Sequence, residues 1–206
     1  MIILLLFLAY FSGCIPTGLL VARWAKGIDI RQVGSGNIGA TNVVRSVGWT
    51  WGIFTLLLDA AKAAAVLFAF NYIDPPLGAE LIRWQIAAGL LVMVGNIFNP
   101  FLKFRGGKGV GAGMGVTAVI APLPLAWAMA AFAAGYGPTR MVSVGSISAG
   151  IAIAVAGSIH YWTQPNLLSP EWLGFCLLIG LVVLITHRSN IKRLLQGTET
   201  RLTKGK

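Results

Sequence analysis

The stretch Val110–Tyr136 reads VGAGMGVTAVIAPLPLAWAMAAFAAGY and contains no charged residue. Its length exceeds the roughly 20 apolar residues that a helix needs to cross a bilayer core of about 30 Å. Pro122 and Pro124 lie near its centre. A proline removes a helical donor and clashes with the preceding turn of a helix. We therefore predict two short helices with a break between them.

Five further apolar runs accompany this stretch, and the composition is that of a membrane protein. Of the 206 residues, 56% are hydrophobic and 11% are charged, and the mean hydropathy is +0.78. All runs should be helical, because lipid offers no partner for an unpaired backbone group. The five runs are Ile2–Val21, Trp51–Tyr72, Trp84–Ile97, Val142–Trp162 and Trp172–Thr186. With no internal repeat, we expect one all-helical polytopic domain over residues 1–206.

The basic residues orient the predicted spans. Fourteen of the sixteen Lys and Arg residues follow the first, third, fourth and sixth runs, whereas Asp74, Glu80 and Glu171 lie in segments poor in basic residues. Cytoplasmic loops carry the excess of Lys and Arg. We therefore place the basic segments inside, the acidic segments and the N-terminus outside, and the C-terminus inside. The net charge of +10 then reflects membrane topology, and no nucleic-acid partner is expected.

This orientation bears on the number of helices. If the first, third and sixth runs all end in the cytoplasm, Val110–Tyr136 must begin and end there. The proline-broken helices would then form a hairpin, which gives seven membrane helices. The alternative is six plain spans with Arg140 outside.

The first polar loop is rich in glycine and in hydrogen-bond donors. Gly34, Gly36 and Gly39 satisfy the G-x-G-x-x-G spacing, and Asp59 lies about 20 residues downstream, as in a dinucleotide site. That fold requires a βαβ unit, whereas here Asp59 would lie inside the membrane. Glycines still let backbone N–H groups converge on an anion. The donors nearby are Ser35, Asn37, Thr41, Asn42 and Arg45. The alternative is a glycine-rich turn that caps a helix.

The second polar loop contains Gly106-Gly107-Lys108-Gly109 directly before an apolar helix. It is not a Walker A motif, because Leu102 replaces the first glycine and Gly109 replaces the Ser or Thr that would hold Mg²⁺. Flexible backbone donors, a helix N-terminus and an ammonium group nonetheless suit a phosphate. A merely basic turn at the membrane edge is the alternative.

The third polar segment follows the last span. His187, Asn190 and Arg193 are spaced by three, so they share one helical face if the helix continues, and Arg188 lies beside them. His187 could act as an acid, a base or a donor to an oxyanion, or simply anchor the helix at the surface. Ser143 and Ser146 form a further polar group after Arg140.

Two charged residues lie inside a predicted span. Asp59 and Lys62 are one helical turn apart and should form an ion pair. This pair could be structural or could contact a substrate. His160 we interpret as an interfacial anchor beside Tyr161 and Trp162.

Together and in this order, these segments resemble the acyl-phosphate-dependent glycerol-3-phosphate acyltransferases of bacterial membranes. The matching motifs are Ile15–Gly18, Gly34–Asn42 with Arg45, Gly106–Val110, Val142–Ile147 and His187–Leu194. The resemblance implies transfer of an acyl group from acyl phosphate to the 1-hydroxyl of glycerol 3-phosphate, and seven membrane helices in the bacterial inner membrane. One departure is Asn96, which stands where the family usually has His and cannot act as a base.

This chemistry assigns roles to the polar residues, which we expect to meet at the cytoplasmic face. The residues expected to take part in catalysis are Ser35, Asn37, Lys108, His187 and Asn190. Those expected to bind substrate or phosphate are Gly34, Gly36, Gly39, Thr41, Asn42, Arg45, Gly106, Gly107, Gly109, Ser146 and Arg188. Acyl phosphate, glycerol 3-phosphate and membrane lipid are the expected partners, with no cofactor and no metal. The rival interpretation is a transporter of a small phosphorylated anion.

Overall fold

The computed structural model describes residues 1–73, 77, 80–164 and 166–202, which form α-helices joined by loops and 3₁₀ turns, with no β-strand in these ranges. The helices are α1 (Ile2–Cys14), α2 (Thr17–Lys26), α3 (Ala40–Ser46), α4 (Trp49–Ala69), α5 (Leu81–Ile97), α6 (Val110–Ile120), α7 (Pro122–Thr139), α8 (Val142–Thr163), α9 (Pro170–Thr186) and α10 (Arg188–Leu195). Asp74, which the charge pattern places on the outer side, is not among the described residues.

The chain forms two compact units, residues 1–119 and the residues from Ile120 onward. In the first unit, α1 packs against α4 and α5, and both α2 and α3 pack against α4. In the second unit, α8 packs against α7 and α9. Each unit thus contains its own packed helices and its own polar segments.

Several helices can cross a membrane. By length and composition, Trp49–Tyr72, Leu81–Leu102 and Val142–Thr163 qualify among the described residues. Two more spans are possible as bent pairs, α1 with α2 at 43° and α9 with α10 at 59°. The all-helical membrane class predicted from the sequence is confirmed. The number of seven helices stays a prediction.

The long apolar run Val110–Tyr136 is interrupted where its prolines predict. Helix α6 ends at Ile120, Ala121 has φ −142° and ψ 65°, and Pro122 begins α7. Proline suits the first turn of a helix because the N–H it lacks would have no helical partner there. The interruption leaves the Ile120 carbonyl to be satisfied elsewhere, and the indole Nε1 of Trp172 donates to it at 2.8 Å.

The first run also breaks, at Ile15 and Pro16, a feature that the apolar pattern alone does not predict. The carbonyl of Cys14 accepts from Nδ2 of Asn99 at 2.5 Å, and the carbonyl of Ile15 accepts from Nζ of Lys62 at 2.7 Å. Lipid provides no other donor for such groups. Two side chains from distant segments therefore stabilise the bend between α1 and α2.

The ion pair expected inside α4 is present. Nζ of Lys62 lies 2.7 Å from Oδ1 of Asp59, and the hydroxyl of Thr17 donates to the same oxygen at 2.7 Å. Only 12% of the Asp59 side chain and 13% of the Lys62 side chain are exposed. Because the pair joins α4 to the first turn of α2, its contacts favour the structural alternative.

Replacing Lys62 with Met should destabilise the protein strongly. The change leaves Asp59 as an uncompensated charge in a largely buried site, which typically costs about 3–5 kcal/mol, and it removes the donor to Ile15. We expect a clear fall in the melting temperature measured by circular dichroism in detergent micelles. The double variant Asp59→Leu/Lys62→Met should melt higher than Lys62→Met. The exposed Lys103→Met is the control, and equal melting temperatures for Lys62→Met and this control would refute a structural pair.

Candidate active site

Asn42 organises the glycine-rich first loop from inside. The residue is 1% exposed. Its Nδ2 donates to the carbonyls of Ile30, Val33 and Asn37 at 3.0, 3.0 and 2.9 Å, and its Oδ1 accepts from the N–H of Ser35 at 2.9 Å. These bonds favour a role in shaping the loop. The direct contact with phosphate expected from the sequence stays a prediction.

The remaining first-loop residues surround this amide. Gly34 has φ +60°, and a side chain there would overlap Oδ1 of Asn42. Asn37 uses its Oδ1 to accept the N–H of Gly39 at 2.8 Å, and Gly36 donates its N–H to Val33 at 3.1 Å. Several amides that the sequence suggests for anion binding thus shape the loop itself. The side chain of Ser35 is exposed, and those of Asn37, Thr41 and Arg45 are half-buried.

The second loop ties its glycines to the end of α5. Gly106 donates its N–H to the carbonyl of Ile97 at 3.1 Å, and Gly107 donates to that of Asn96 at 3.0 Å. The last carbonyls of a helix need such donors. The N–H groups of Gly106 and Gly107, which the sequence suggests for phosphate binding, are therefore already bonded to carbonyls of α5. A Cβ on Gly106 would overlap the Asn96 carbonyl oxygen, so only glycine fits there.

Lys108 and Gly109 connect the capped end of α5 to the start of α6. Lys108 is half-buried, and Gly109 has φ +74° immediately before Val110 begins the helix. The two loops also meet within the first unit. Leu102 packs against a core that includes Ile30 and Ile38 of the first loop. The structure therefore brings the first and second motifs together.

His187 lies at the junction of α9 and α10 and is 3% exposed. Its Nδ1 is 2.9 Å from the carbonyl of Val183. A carbonyl can only accept, so this bond places a proton on Nδ1 and fixes the orientation of the ring. The helix does not continue straight through this point, because α10 is bent by 59° from α9. Asn190 and Arg193 share α10, and His187 precedes it.

Glu199 is the residue that the motif pattern did not identify as important. It is 8% exposed. Its Oε1 accepts from Oγ of Ser143 at 2.7 Å and from Nδ2 of Asn190 at 2.6 Å, and its Oε2 accepts from Nε of Arg193 at 2.6 Å. One carboxylate thus joins α8 to α10. Glu199 is the single acidic residue of the basic tail, and this feature of the sequence could have indicated its importance.

The tail that carries Glu199 is itself fixed at both ends. Gly197, at φ +68°, reverses the chain after α10, and Thr198 donates its N–H to the carbonyl of Arg193 at 2.8 Å. Leu202 donates its N–H to the carbonyl of Arg140 at 2.6 Å. Of the other site residues predicted in this unit, Ser146 is buried in α8 and Arg188 is exposed at the start of α10.

Among the described residues, no group of three or more His, Cys, Asp or Glu side chains could hold a metal ion. The hydrogen-bonding groups around the loops are instead hydroxyls, amides, guanidinium groups and an ammonium. Donors of this kind suit negatively charged oxygen atoms.

The pKa of Glu199 should make stability depend on pH. Burial opposes its ionisation, but the bonds from Ser143, Asn190 and Arg193 outweigh this and hold its pKa below the usual range. A lowered folded-state pKa gives stability that is complete above the ordinary glutamate value, about 4.3, and is lost as the pH falls through the lowered value. The melting temperature should therefore fall as the pH is lowered below about 4.3.

Glu199→Gln should melt lower than wild type at neutral pH and lose less on acidification. Circular dichroism melting curves from neutral pH downwards provide the measurement, and Glu80→Gln, at an exposed position, is the control. Parallel pH dependence in wild type and Glu199→Gln would contradict this assignment.

Comparison with known proteins gives consistent matches over nearly the full chain. A family model described as glycerol-3-phosphate acyltransferase matches residues 3–197. Glycerol-3-phosphate acyltransferase of Geobacter sulfurreducens is 43% identical over 196 residues, covering 94% of this chain and 93% of the relative. The protein of the same name from Anaeromyxobacter sp. strain Fw109-5 is 42% identical, covering 94% of this chain and 92% of the relative.

Solved structures agree with these relatives. The glycerol 3-phosphate form of PlsY (YgiH), an integral membrane glycerol 3-phosphate acyltransferase, is 30% identical with a TM-score of 0.83, covering 98% of this chain and 96% of that chain. Its lysophosphatidic acid form has a TM-score of 0.80, covering 98% and 95% of the two chains. The chain belongs to the glycerol-3-phosphate acyltransferase family of integral membrane proteins.

Proposed function

We propose that this acyltransferase moves an acyl group from acyl phosphate to the 1-hydroxyl of glycerol 3-phosphate, giving lysophosphatidic acid and inorganic phosphate. The observation that carries the proposal is the similarity to a solved acyltransferase in its glycerol 3-phosphate and lysophosphatidic acid forms. Acyl phosphate as the donor rests on the motifs. The chain also lacks the His-x-x-x-x-Asp pair of acyltransferases that use acyl-CoA or acyl carrier protein.

The first unit supplies the groups that we assign to phosphate. In this proposal Ser35, Arg45 and Lys108 bind phosphate oxygens, and Asn37 orients the glycerol hydroxyl. The exposed Ser35 side chain on a loop fixed by Asn42 supports this assignment, as does the position of Lys108 beside the start of α6. Preformed donors of this kind bind an anion without first having to be ordered.

The second unit supplies the groups that we assign to the acyl carbonyl. His187 and Asn190 donate to the carbonyl oxygen or manage its proton in the proposed reaction. The bond from Nδ1 to Val183 directs Nε2 of His187 to any further partner, and Glu199 fixes the amide of Asn190. Donors aimed at developing negative charge often provide the largest part of catalysis.

The reaction needs no covalent enzyme intermediate, because acyl phosphate is an activated mixed anhydride. The glycerol hydroxyl oxygen attacks the acyl carbonyl carbon and forms the new ester bond. The bond between that carbon and the bridging oxygen then breaks, and phosphate leaves with its bonding electrons. The hydroxyl proton passes to the departing phosphate or to His187. The protein's part is mainly to position the two reactants and stabilise charge.

Activity should follow the acyl phosphate donor and these residues. Purified protein in micelles should release phosphate from palmitoyl phosphate when glycerol 3-phosphate is present, and should not use palmitoyl-CoA. Lys108→Ala and His187→Ala should each lower kcat/KM by about 100-fold or more, as loss of a charge-stabilising donor does.

Lys103→Ala, in the same loop as Lys108, and Lys192→Ala, on α10, are the matched controls and should retain activity. Unchanged phosphate release in both Lys108→Ala and His187→Ala would refute the assignment of the site. Activity with palmitoyl-CoA alone would refute the proposed donor.

We further propose a seven-helix topology in the bacterial inner membrane, with the N-terminus outside, the C-terminus inside and the reaction at the cytoplasmic face. Support comes from the excess of basic residues after the predicted spans and from the interruption at Ala121. Alkaline phosphatase, which is active only outside, and green fluorescent protein, which is active only inside, can be fused after Arg140. Fluorescence without phosphatase activity is the expected result, and the reverse supports six plain spans.

A further inference from the structure

An apolar groove runs between α7 and α8 in the second unit, apart from the polar residues assigned to the reaction. Its volume is about 530 Å³. Leu123, Trp127 and Ala131 line it from α7, and Ala156 and Ile159 line it from α8. The α7 residues recur at helical spacing, so they form one continuous face. Small alanine side chains leave the space between the helices open.

The groove closes at one end. A Cβ on Gly135 would lie 2.9 Å from Oγ of Ser148, and a Cβ on Gly145 would lie 2.9 Å from the ring of Phe132. The two helices are therefore in close contact at these glycines and leave no space for a ligand. The contact at these glycines therefore bounds the groove on the side of the α7–α8 turn.

The polar residues that line the groove lie at its other end, away from these glycines. His160 and Thr163 line it, and the imidazole of His160 packs edge-on against Trp172, with ring centroids 5.8 Å apart. Tyr161 and Trp162 follow directly in the sequence, and such aromatic residues are enriched at the membrane interface. The groove thus combines an apolar body with a hydrogen-bonding group at its mouth.

The length of the groove matches one leaflet of a bilayer. From Leu123 to Ala134, which both line it, α7 rises about 16 Å at roughly 1.5 Å per residue. Half of a bilayer core is about 15 Å. A groove with a mouth at the interface would therefore end near the middle of the membrane, as a lipid acyl chain does.

The shape favours a single acyl chain over another helix. A helix with its side chains is about 10–12 Å across and would not enter a space that narrows to contact at Gly135 and Gly145. An unfilled groove would lose dispersion contacts along its walls. Hydrocarbon chains are what surrounds a membrane protein at this depth, and they are thin and flexible enough to enter.

We propose that the groove between α7 and α8 is a binding site for one acyl chain of a bilayer phospholipid, whose headgroup oxygens accept a hydrogen bond from His160. This lipid is a bound component of the protein and not a reactant. His160 lies 14 positions after Ser146 on α8, about 21 Å along the helix. The proposed headgroup contact therefore lies far along α8 from Ser146, and no residue that we assign to the reaction lines the groove.

Native mass spectrometry of the purified full chain, titrated with palmitoyl-oleoyl phosphatidylglycerol, tests this site. Wild type should bind the first lipid at least tenfold more tightly than the second. Ala131→Phe and Ala156→Phe fill the groove and should remove the difference in affinity between the first and the second lipid. Ala156→Leu adds a smaller side chain and should reduce this difference in part. His160→Leu should weaken the first binding step about threefold or more.

Ala133→Phe on α7 and Ile151→Phe on α8 are the matched controls, since both residues are exposed and neither lines the groove. They should keep the tight first step, and circular dichroism should show equal helix content in all variants. The proposal is overturned if the groove-filling variants bind lipid as wild type does, or if the controls lose the tight step equally. It is also overturned if acyl phosphate displaces the lipid. The same holds if wild type is a dimer and only the groove-filling variants are monomers, because the groove would then be an interface between two copies of the chain.

Discussion

The structure depends on one constraint, which is that lipid cannot hydrogen-bond a backbone carbonyl released by a helix break. The chain meets it with side chains from distant segments. Asn99 donates to Cys14, Lys62 donates to Ile15, and Trp172 donates to Ile120. Lys62 and Trp172 lie in the helices α4 and α9, and Asn99 lies in the loop after α5. These bonds satisfy the carbonyls that the helix breaks release.

The same principle extends to the loops that carry the motifs. Asn42 binds three carbonyls of the first loop, and the amides of Gly106 and Gly107 bind the last carbonyls of α5. In the second unit, Glu199 joins α8 and α10 through three donors. Many motif residues therefore shape the loops, and we propose that a smaller set meets the substrate. Loops ordered in this way would suit the proposed reaction, in which positioning and charge stabilisation provide most of the rate.

The sequence pattern predicted those features that depend on residues close together in the chain. The apolar runs, the interruption near Pro122 and the pairing of Asp59 with Lys62 follow from helical spacing and from the chemistry of proline. The pattern did not reveal that Asn99 would satisfy the bend after Cys14, because 85 positions separate the two residues. Nor did it show that the Asn42 amide is buried and bonded to the loop backbone, since a buried loop amide and an exposed one look alike in sequence. Glu199 was missed because its partners come from two helices.

The proposed acyl transfer is tested most directly by following the bridging oxygen of acyl phosphate. Palmitoyl phosphate labelled with heavy oxygen between carbon and phosphorus is incubated with the protein and glycerol 3-phosphate, and the products are weighed by mass spectrometry. Attack at the carbonyl carbon predicts that the heavy oxygen leaves in inorganic phosphate, with unlabelled lysophosphatidic acid as the acylated product. Heavy oxygen in free palmitate, or no acylated glycerol 3-phosphate, would contradict the account.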